Sequence, residues 1–118
     1  MKVLVCGSRD FNDYKKMKEV LDSEYHYGRG FSTVIEGEAR GADLLARRYA
    51  EEHGLDVLPF PADWDTHGKA AGPIRNAQML REGKPDYVIA FRGPNSRGTQ
   101  NMIDQARKAR VPVDVIEI

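Results

Sequence analysis

Short apolar runs alternate with stretches of helical periodicity along the chain, and this alternation limits its fold more than any other feature. Five runs rich in Val, Ile, Leu and aromatic residues are typical of strands. An order of strand and helix that repeats in this way favours a parallel sheet with right-handed crossovers and helices on both faces. We therefore predict an α/β fold with a mainly parallel five-stranded sheet. Its strands are expected at residues 2–6, 33–36, 55–58, 86–91 and 113–118.

Four helices are predicted between these strands. Met17, Leu21 and Tyr25 recur every four residues, so they share one face of the first helix. Pro73 is expected either in the first turn of the third helix or at a bend in it, and residues 62–68 ahead of it are predicted to be irregular. The predicted helices cover residues 14–25, residues 42–53, residues 69–82 with Ala70, Ile74 and Ala77 on one face, and a segment that Thr99 caps.

Length and composition narrow the classes of protein that fit. The 118 residues favour a single domain spanning residues 1–118. Equal numbers of basic and acidic residues, 18 of each, argue against a generally basic protein that coats nucleic acid. The longest apolar runs are four or five residues, too short to cross a membrane, and no secretory leader is visible. The single cysteine, Cys6, cannot form an internal disulfide, so we expect a cytoplasmic protein.

Polar and glycine residues concentrate after the predicted strands. The carboxyl ends of parallel strands meet at one edge of the sheet, where ligands bind in open α/β folds, so these residues are expected to form a site. Backbone N–H groups, a hydroxyl and a guanidinium suit an anion there, although each glycine alone also fits an ordinary turn. The residues expected at this edge are Gly7, Ser8 and Arg9 after the first strand, Gly37, Gly41 and Asp43 after the second, and Gly93, Gly98 and Thr99 after the fourth.

The segment from residue 62 to residue 76 is the hardest to explain by folding needs alone. Trp64 can stack on a base or cover the core, and His67 can act as an acid or base or be structural. Arg75 followed by Asn76 favours contact with a phosphate or ribose, and the alternative is a structural ion pair. The histidines have no metal-ligand spacing with Cys6, and neither the dinucleotide-binding nor the Walker glycine pattern is present. We predict no metal and no cofactor.

Taken together, the ordered motifs resemble the YspA/YpsA-related branch of the SLOG superfamily. They are residues 7–10, 36–43, 62–64, 68–76 and 98–99, and they span nearly the whole chain. The resemblance implies a Rossmann-like fold and a pocket for a nucleotide, ADP-ribose-like or related phosphoribosyl ligand. The superfamily includes LOG-type nucleotide phosphoribohydrolases, DNA-processing protein A and sensor domains for nucleotide-derived signals. By analogy with LOG-type relatives, it also implies a homodimer or a higher homo-oligomer.

Whether the chain is an enzyme depends on a carboxylate. Residues 75–79 resemble the R-K-x-x-M segment of LOG-type hydrolases, so the functional arginine carries over to Arg75. Residues 94–102 resemble their P-G-G-x-G-T-x-x-E segment, but Met102 stands in place of the functional glutamate, and Asn95 and Ser96 replace the two glycines. Cleavage of an N-glycosidic bond needs a carboxylate near the oxocarbenium-like transition state. This chemistry is expected to be weak or absent unless Glu36, Asp43 or Asp63 supplies that group.

Three functions remain open at this point. The first is a sensor or sequestering module that binds a small nucleotide-like ligand across the strand ends. The second is a nucleotide N-glycosidase that uses the same pocket, and the third, which the neutral charge disfavours, is single-strand nucleic-acid binding. The predicted ligand-binding residues are Gly7, Ser8, Arg9, Gly37, Gly41, Asp43, Trp64, Arg75, Asn76, Gly93, Gly98 and Thr99. The predicted catalytic residues are Arg75, Glu36, Asp43 and Asp63.

Overall fold

A computed structural model describes all residues from Met1 to Ile118 and shows a five-stranded parallel sheet with strand order β3-β2-β1-β4-β5. The predicted α/β, Rossmann-like architecture is confirmed. The strands are β1 (Lys2–Gly7), β2 (Thr33–Glu36), β3 (Asp56–Pro59), β4 (Tyr87–Arg92) and β5 (Val113–Glu117). The helices are α1 (Tyr14–Tyr27), α2 (Ala42–Glu52), α3 (Trp64–His67), α4 (Ala71–Gln78) and α5 (Arg97–Lys108).

The two central strands carry the most buried part of the core. Val3, Leu4 and Val5 of β1 have no exposed surface, and neither do the five residues from Tyr87 to Phe91 of β4. The near-continuous apolar composition of these strands follows from burial on both faces, as in other parallel sheets. One apolar cluster of 14 buried residues includes side chains of α1 and α2, and another of 9 includes side chains of α5 and the segment after α4. The predicted placement of helices on both faces is therefore confirmed.

The segment between β3 and β4 differs from the prediction. Residues 62–68 are not wholly irregular, because Trp64–His67 forms one helical turn and the Asp63 carboxylate caps it by accepting the N–H of Thr66 at 3.1 Å. The single helix expected at residues 69–82 is instead a 3-10 turn at Gly68–Ala70, then α4, then a π turn at Met79–Gly83. Its expected apolar face is also wrong. Ile74 is 45% exposed, whereas Ala71, Asn76 and Met79 are buried.

The start of α5 also differs from the prediction. The helix begins at Arg97 after Ser96, so Thr99 is its third residue and not its cap. The Ser96 hydroxyl instead accepts the N–H of Gly93 at 3.0 Å, and no side chain caps α5. Arg97 N–H donates to the Asn95 carbonyl oxygen at 3.0 Å, whereas the N–H groups of Gly98 and Thr99 stay open to another acceptor.

The topology fixes the place where a ligand is expected. The chain moves outward from β1 to β2 and β3, then crosses back to β4 on the other side of β1. Strand order therefore reverses between β1 and β4, and in open α/β sheets ligands bind at the carboxyl ends next to such a point. No helix in the structure has the length and apolar character needed to cross a membrane.

Candidate functional site

Two adjoining cavities lie at the carboxyl ends of the strands. The larger has a volume of about 690 Å³ and is bounded by the loops after β1 and β4 and by α4, and the smaller, of about 350 Å³, lies against the loops after β2 and β3. Nine of the predicted residues line the larger cavity: Gly7, Ser8, Arg9, Asp43, Trp64, Arg75, Asn76, Gly98 and Thr99. Gly37 lines the smaller one, and Glu36, Gly41, Asp63 and Gly93 line neither.

Close backbone approach brings the loops after β1 and β2 together. Gly41 has a φ of +84°, and a Cβ there would lie 2.7 Å from the Cα of Arg9. A Cβ on Gly7 would likewise lie 2.6 Å from the carbonyl oxygen of Phe91. Neither position has room for a side chain. Gly41 therefore shapes the site by letting the loops pack, although it does not face either cavity.

Three backbone N–H groups of the loop after β2 are already bonded to carboxylates. Asp43 Oδ2 accepts the N–H of Gly37 and of Ala39, both at 3.2 Å, and Glu36 Oε2 accepts the N–H of Glu38 at 2.7 Å. The N–H groups of Gly37, Glu38 and Ala39 are therefore not free to hold a phosphate. Glu36 and Asp43, which were predicted as catalytic carboxylates, hold this loop in place.

Burial changes the acidity of both carboxyls. Burial raises the pKa of Asp43 to about 6, even though the nearby Arg75 guanidinium and the loop N–H groups lower it. Asp43 is 5% exposed and lines the larger cavity, and its Oδ1 atom accepts no hydrogen bond from the protein. Asp43 is thus the one predicted acid that combines a raised pKa with access to the cavity.

Glu36 belongs to the interior and not to the cavity. Its side chain has no exposed surface, and burial raises its pKa to about 7. Arg47 Nη2 lies 2.7 Å from Glu36 Oε1 without the alignment of a hydrogen bond, and it also bonds Glu38 Oε1 at 2.6 Å. Glu36 stabilises the loop after β2 through these contacts and its bond to Glu38 N–H. It lines neither cavity, so it is not placed to contact a ligand ribose.

Arg75 joins α4 to the loop after β2. Its Nη1 atom donates to the Gly37 carbonyl oxygen at 2.6 Å, and its Nε atom donates to Asn76 Oδ1 at 3.2 Å. Arg75 has no carboxylate within ion-pair distance, and burial lowers its pKa although the nearby Asp43 raises it. The structural ion pair weighed for Arg75 is therefore absent, and its guanidinium lines both cavities.

Asn76 links α4 to α5 while lining the larger cavity. It is 4% exposed, and its Nδ2 atom donates to the Gly98 carbonyl oxygen at 3.2 Å and to Asn101 Oδ1 at 3.1 Å. Asn101 lines the same cavity but was not predicted from the sequence. It follows Gly98 by three residues and so shares a helix face with it, and this spacing could have identified Asn101 as a cavity residue.

The first turn of α5 presents free donors to the larger cavity. The N–H groups of Gly98 and Thr99 bond no acceptor in the protein. The Thr99 side chain is 6% exposed, and its hydroxyl also has no hydrogen-bond partner. These three donors lie where the dipole of α5 favours negative charge.

Trp64 lies at the mouth of both cavities and does not cover the core. It is 46% exposed, and the guanidinium carbon of Arg9 lies 5.1 Å from the centre of its ring. This distance is within the range of cation–π contact. The open position of Trp64 agrees with the alternative in which it stacks on a base.

Other candidates lie away from the cavities or were overlooked. Asp63 caps α3, exposed His67 lines neither cavity, and Gly93 packs close to Ser8. Met102, at the position of the hydrolase glutamate, is fully buried in the apolar core. Sequence analysis missed Cys6 and Lys69, which line the larger cavity.

Comparison with known proteins agrees with the motifs that surround this site. The model of the YspA, cpYpsA-related SLOG family matches residues 1–67, which include β1, the loop after β2 and the start of the Trp64 segment. The chain belongs to this SLOG family. Gene 61 protein of Mycobacterium phage D29, a curated relative, is 39% identical over 117 residues, covering 95% of this chain and 93% of that protein.

A solved structure agrees with the fold of this SLOG protein. DNA processing protein A (DprA) from Streptococcus pneumoniae superimposes with a TM-score of 0.75 and 18% sequence identity. The match covers 97% of this chain but only 49% of the DprA chain, so this chain spans about half the length of DprA. This similarity establishes the Rossmann-like fold, and family membership suggests a nucleotide-related function.

Proposed function

We propose that this SLOG protein binds a nucleotide-derived, ADP-ribose-like phosphoribosyl ligand at the carboxyl edge of the sheet, as a sensor or sequestering module. The charge of the larger cavity is the observation that carries the proposal. Five cations line it, Arg9, Arg40, Lys69, Arg75 and Arg97, against two acids, Asp10 and Asp43. The whole chain is neutral, so positive charge is concentrated in the cavity and favours an anionic ligand.

The cavity also offers groups for an uncharged sugar and base. Gly98 N–H, Thr99 N–H and the Thr99 hydroxyl can donate to phosphate or ribose oxygens. The free Oδ1 atom of Asp43 can accept from a ribose hydroxyl, and the exposed ring of Trp64 can stack on a base. This mixture of donors, a carboxylate acceptor and one aromatic ring matches the mixed chemistry of a phosphoribosyl compound.

Titration calorimetry with AMP and ADP-ribose tests the proposal. Thr99→Val keeps the shape of the side chain but removes its hydroxyl, so affinity should fall about fivefold, equivalent to about 1 kcal/mol. Thr33→Val is the matched control, because Thr33 begins β2 at the opposite edge of the sheet and should leave affinity unchanged. Absence of binding at millimolar ligand, or equal effects of the two variants, would contradict the proposal.

A second candidate function, N-glycosidase activity, is favoured by Asp43 alone. Its carboxyl has a pKa raised to about 6 and borders the cavity near Arg75, so it can stabilise a developing oxocarbenium ion or accept a proton from attacking water. Water would add to the anomeric carbon while the base leaves with a proton. Against this function, the Asp43 Oδ2 atom is committed to two loop N–H groups, and Met102 occupies the place of the hydrolase glutamate.

Chromatographic detection of free base separates the enzyme from the binder. Turnover that is lost in both Arg75→Ala and Asp43→Asn would support the enzyme. Binding without base release over many hours would support the sensor or sequestering module. A salt-dependent shift of labelled single-stranded DNA, with no nucleotide binding, would instead favour nucleic-acid binding.

A further inference from the structure

The two cavities adjoin at a boundary, the waist, formed by the residues that line both of them. These shared residues are Arg9, Ala39, Arg40, Trp64 and Arg75. Three of the five are arginines, so positive charge lies where the cavities join. A molecule that occupies both cavities must pass these guanidinium groups.

The positive charge at the waist is poorly neutralised within the protein. Arg9 and Arg75 have no carboxylate within ion-pair distance. Arg40 has only Asp10, at 3.6 Å, and both side chains are largely exposed, so solvent screens their attraction. The waist is therefore prepared to receive negative charge from a ligand.

Beyond the waist the smaller cavity contains no further cation. The residues that line it alone are Gly37, Glu38, Pro61 and Ala62. Pro61 and Ala62 give it an apolar wall, while the Glu38 carboxylate can accept hydrogen bonds from hydroxyl groups. A second phosphate would find no cation there, whereas an uncharged sugar or ring would fit this chemistry.

We infer that the ligand of this protein is a two-part molecule in which a diphosphate joins a nucleoside to a second, uncharged sugar or ring. The diphosphate lies at the waist against Arg9 and Arg75, and one half of the molecule occupies each cavity. The inference rests on the proposed function, and it adds that a mononucleotide fills only part of the site. Cations at the boundary between the cavities, with no further cation in the smaller one, distinguish a diphosphate bridge from a terminal phosphate.

Calorimetry with AMP and ADP-ribose tests the second half of the ligand, since both carry about two negative charges near neutral pH. ADP-ribose should bind at least about tenfold more tightly than AMP. Ala62→Phe places a ring in the smaller cavity and should reduce this ratio to less than about threefold. Glu38→Ala removes the carboxylate that can accept from hydroxyl groups in this cavity. It should therefore also reduce the ratio, and it serves as the test if Ala62→Phe does not fold.

A charge-matched pair tests the position of the diphosphate. Arg9→Gln removes a cation at the waist and should weaken ADP-ribose binding about tenfold, whereas Arg97→Gln removes a cation that lines only the larger cavity and should weaken it less than about threefold. Equal affinity for AMP and ADP-ribose, or equal effects of the two arginine variants, would overturn the inference and leave the proposed function intact. Binding of neither ligand would overturn both.

Discussion

The Nη1 atom of Arg75 donates a hydrogen bond of 2.6 Å to the carbonyl oxygen of Gly37, although 38 residues separate the two in sequence. This bond fixes α4 against the loop after β2, and it holds the guanidinium where both cavities meet. The carboxylates of Asp43 and Glu36 also bind this loop, by accepting the N–H groups of Gly37 and Glu38. One arginine and two buried carboxylates thus set the shape of the candidate site.

Arg75→Lys is expected to weaken ligand binding about tenfold or more. Lysine keeps the positive charge but cannot make the planar pair of contacts to Gly37 and Asn76. Its charge is therefore no longer fixed where the two cavities meet. Calorimetry with ADP-ribose measures the effect. Arg48→Lys, in a largely exposed ion pair with Glu52 on α2, is the control and should leave affinity unchanged. Wild-type affinity in Arg75→Lys would show that only charge matters at this position.

Gly41→Ala should destabilise the protein by about 2–4 kcal/mol. Its φ of +84° is unfavourable for alanine, and the new Cβ would overlap the backbone of Arg9. Gly54→Ala is the matched control, because Gly54 has a φ of +65° but no atom within 4 Å of an added Cβ, so only the backbone strain of about 1 kcal/mol remains. Urea unfolding measures both. Equal losses would show that the packing of the two loops contributes nothing.

The fold and the edge that carries the candidate site were predictable from local patterns, because β1 and β4 each contain an unbroken apolar run, residues 3–6 and 87–91, and polar residues follow them. The contacts that decide each side chain's role were not. Glu36 ends a strand among polar neighbours in sequence, yet Arg47 from α2 and the loop N–H of Glu38 enclose it. Ile74 fits an apolar helical pattern but is exposed, because α4 faces α5 through the amide of Asn76. Such pairings depend on tertiary packing, and the homo-oligomer stays a prediction.

Asp43→Ala is expected to destabilise the protein by about 2 kcal/mol or more, because the N–H groups of Gly37 and Ala39 lose their acceptor. Asp43→Asn retains an amide oxygen that can accept these bonds, and it removes a charge that burial disfavours. We therefore expect it to recover most of the lost stability. Thermal and urea unfolding of the three proteins provide the comparison. A loss in Asp43→Asn as large as in Asp43→Ala would mean that the negative charge itself stabilises the loop.

Glu36→Gln should change how stability depends on pH. Burial raises the pKa of Glu36 from 4.5 to about 7, so the folded protein holds this proton more tightly than the unfolded chain does. Its contribution to stability is fully present below pH 4.5 and is lost as the pH rises through about 7. The free energy of unfolding of the wild type, relative to Glu36→Gln, should therefore fall across this interval. Urea unfolding of both proteins at several pH values measures it, and a constant difference would refute the shift.

A two-dimensional amide NMR titration with ADP-ribose tests the central claim most directly, since it locates the ligand on a chain of 118 residues without any substitution. We predict saturable shifts for the N–H groups of Arg9, Gly98 and Thr99 and for the indole N–H of Trp64. The amide signals of Gly54 and Arg110, at the opposite edge of the sheet, should not shift. Shifts centred on that opposite edge, or no shifts at millimolar ligand, would contradict a nucleotide site at the carboxyl ends of the strands.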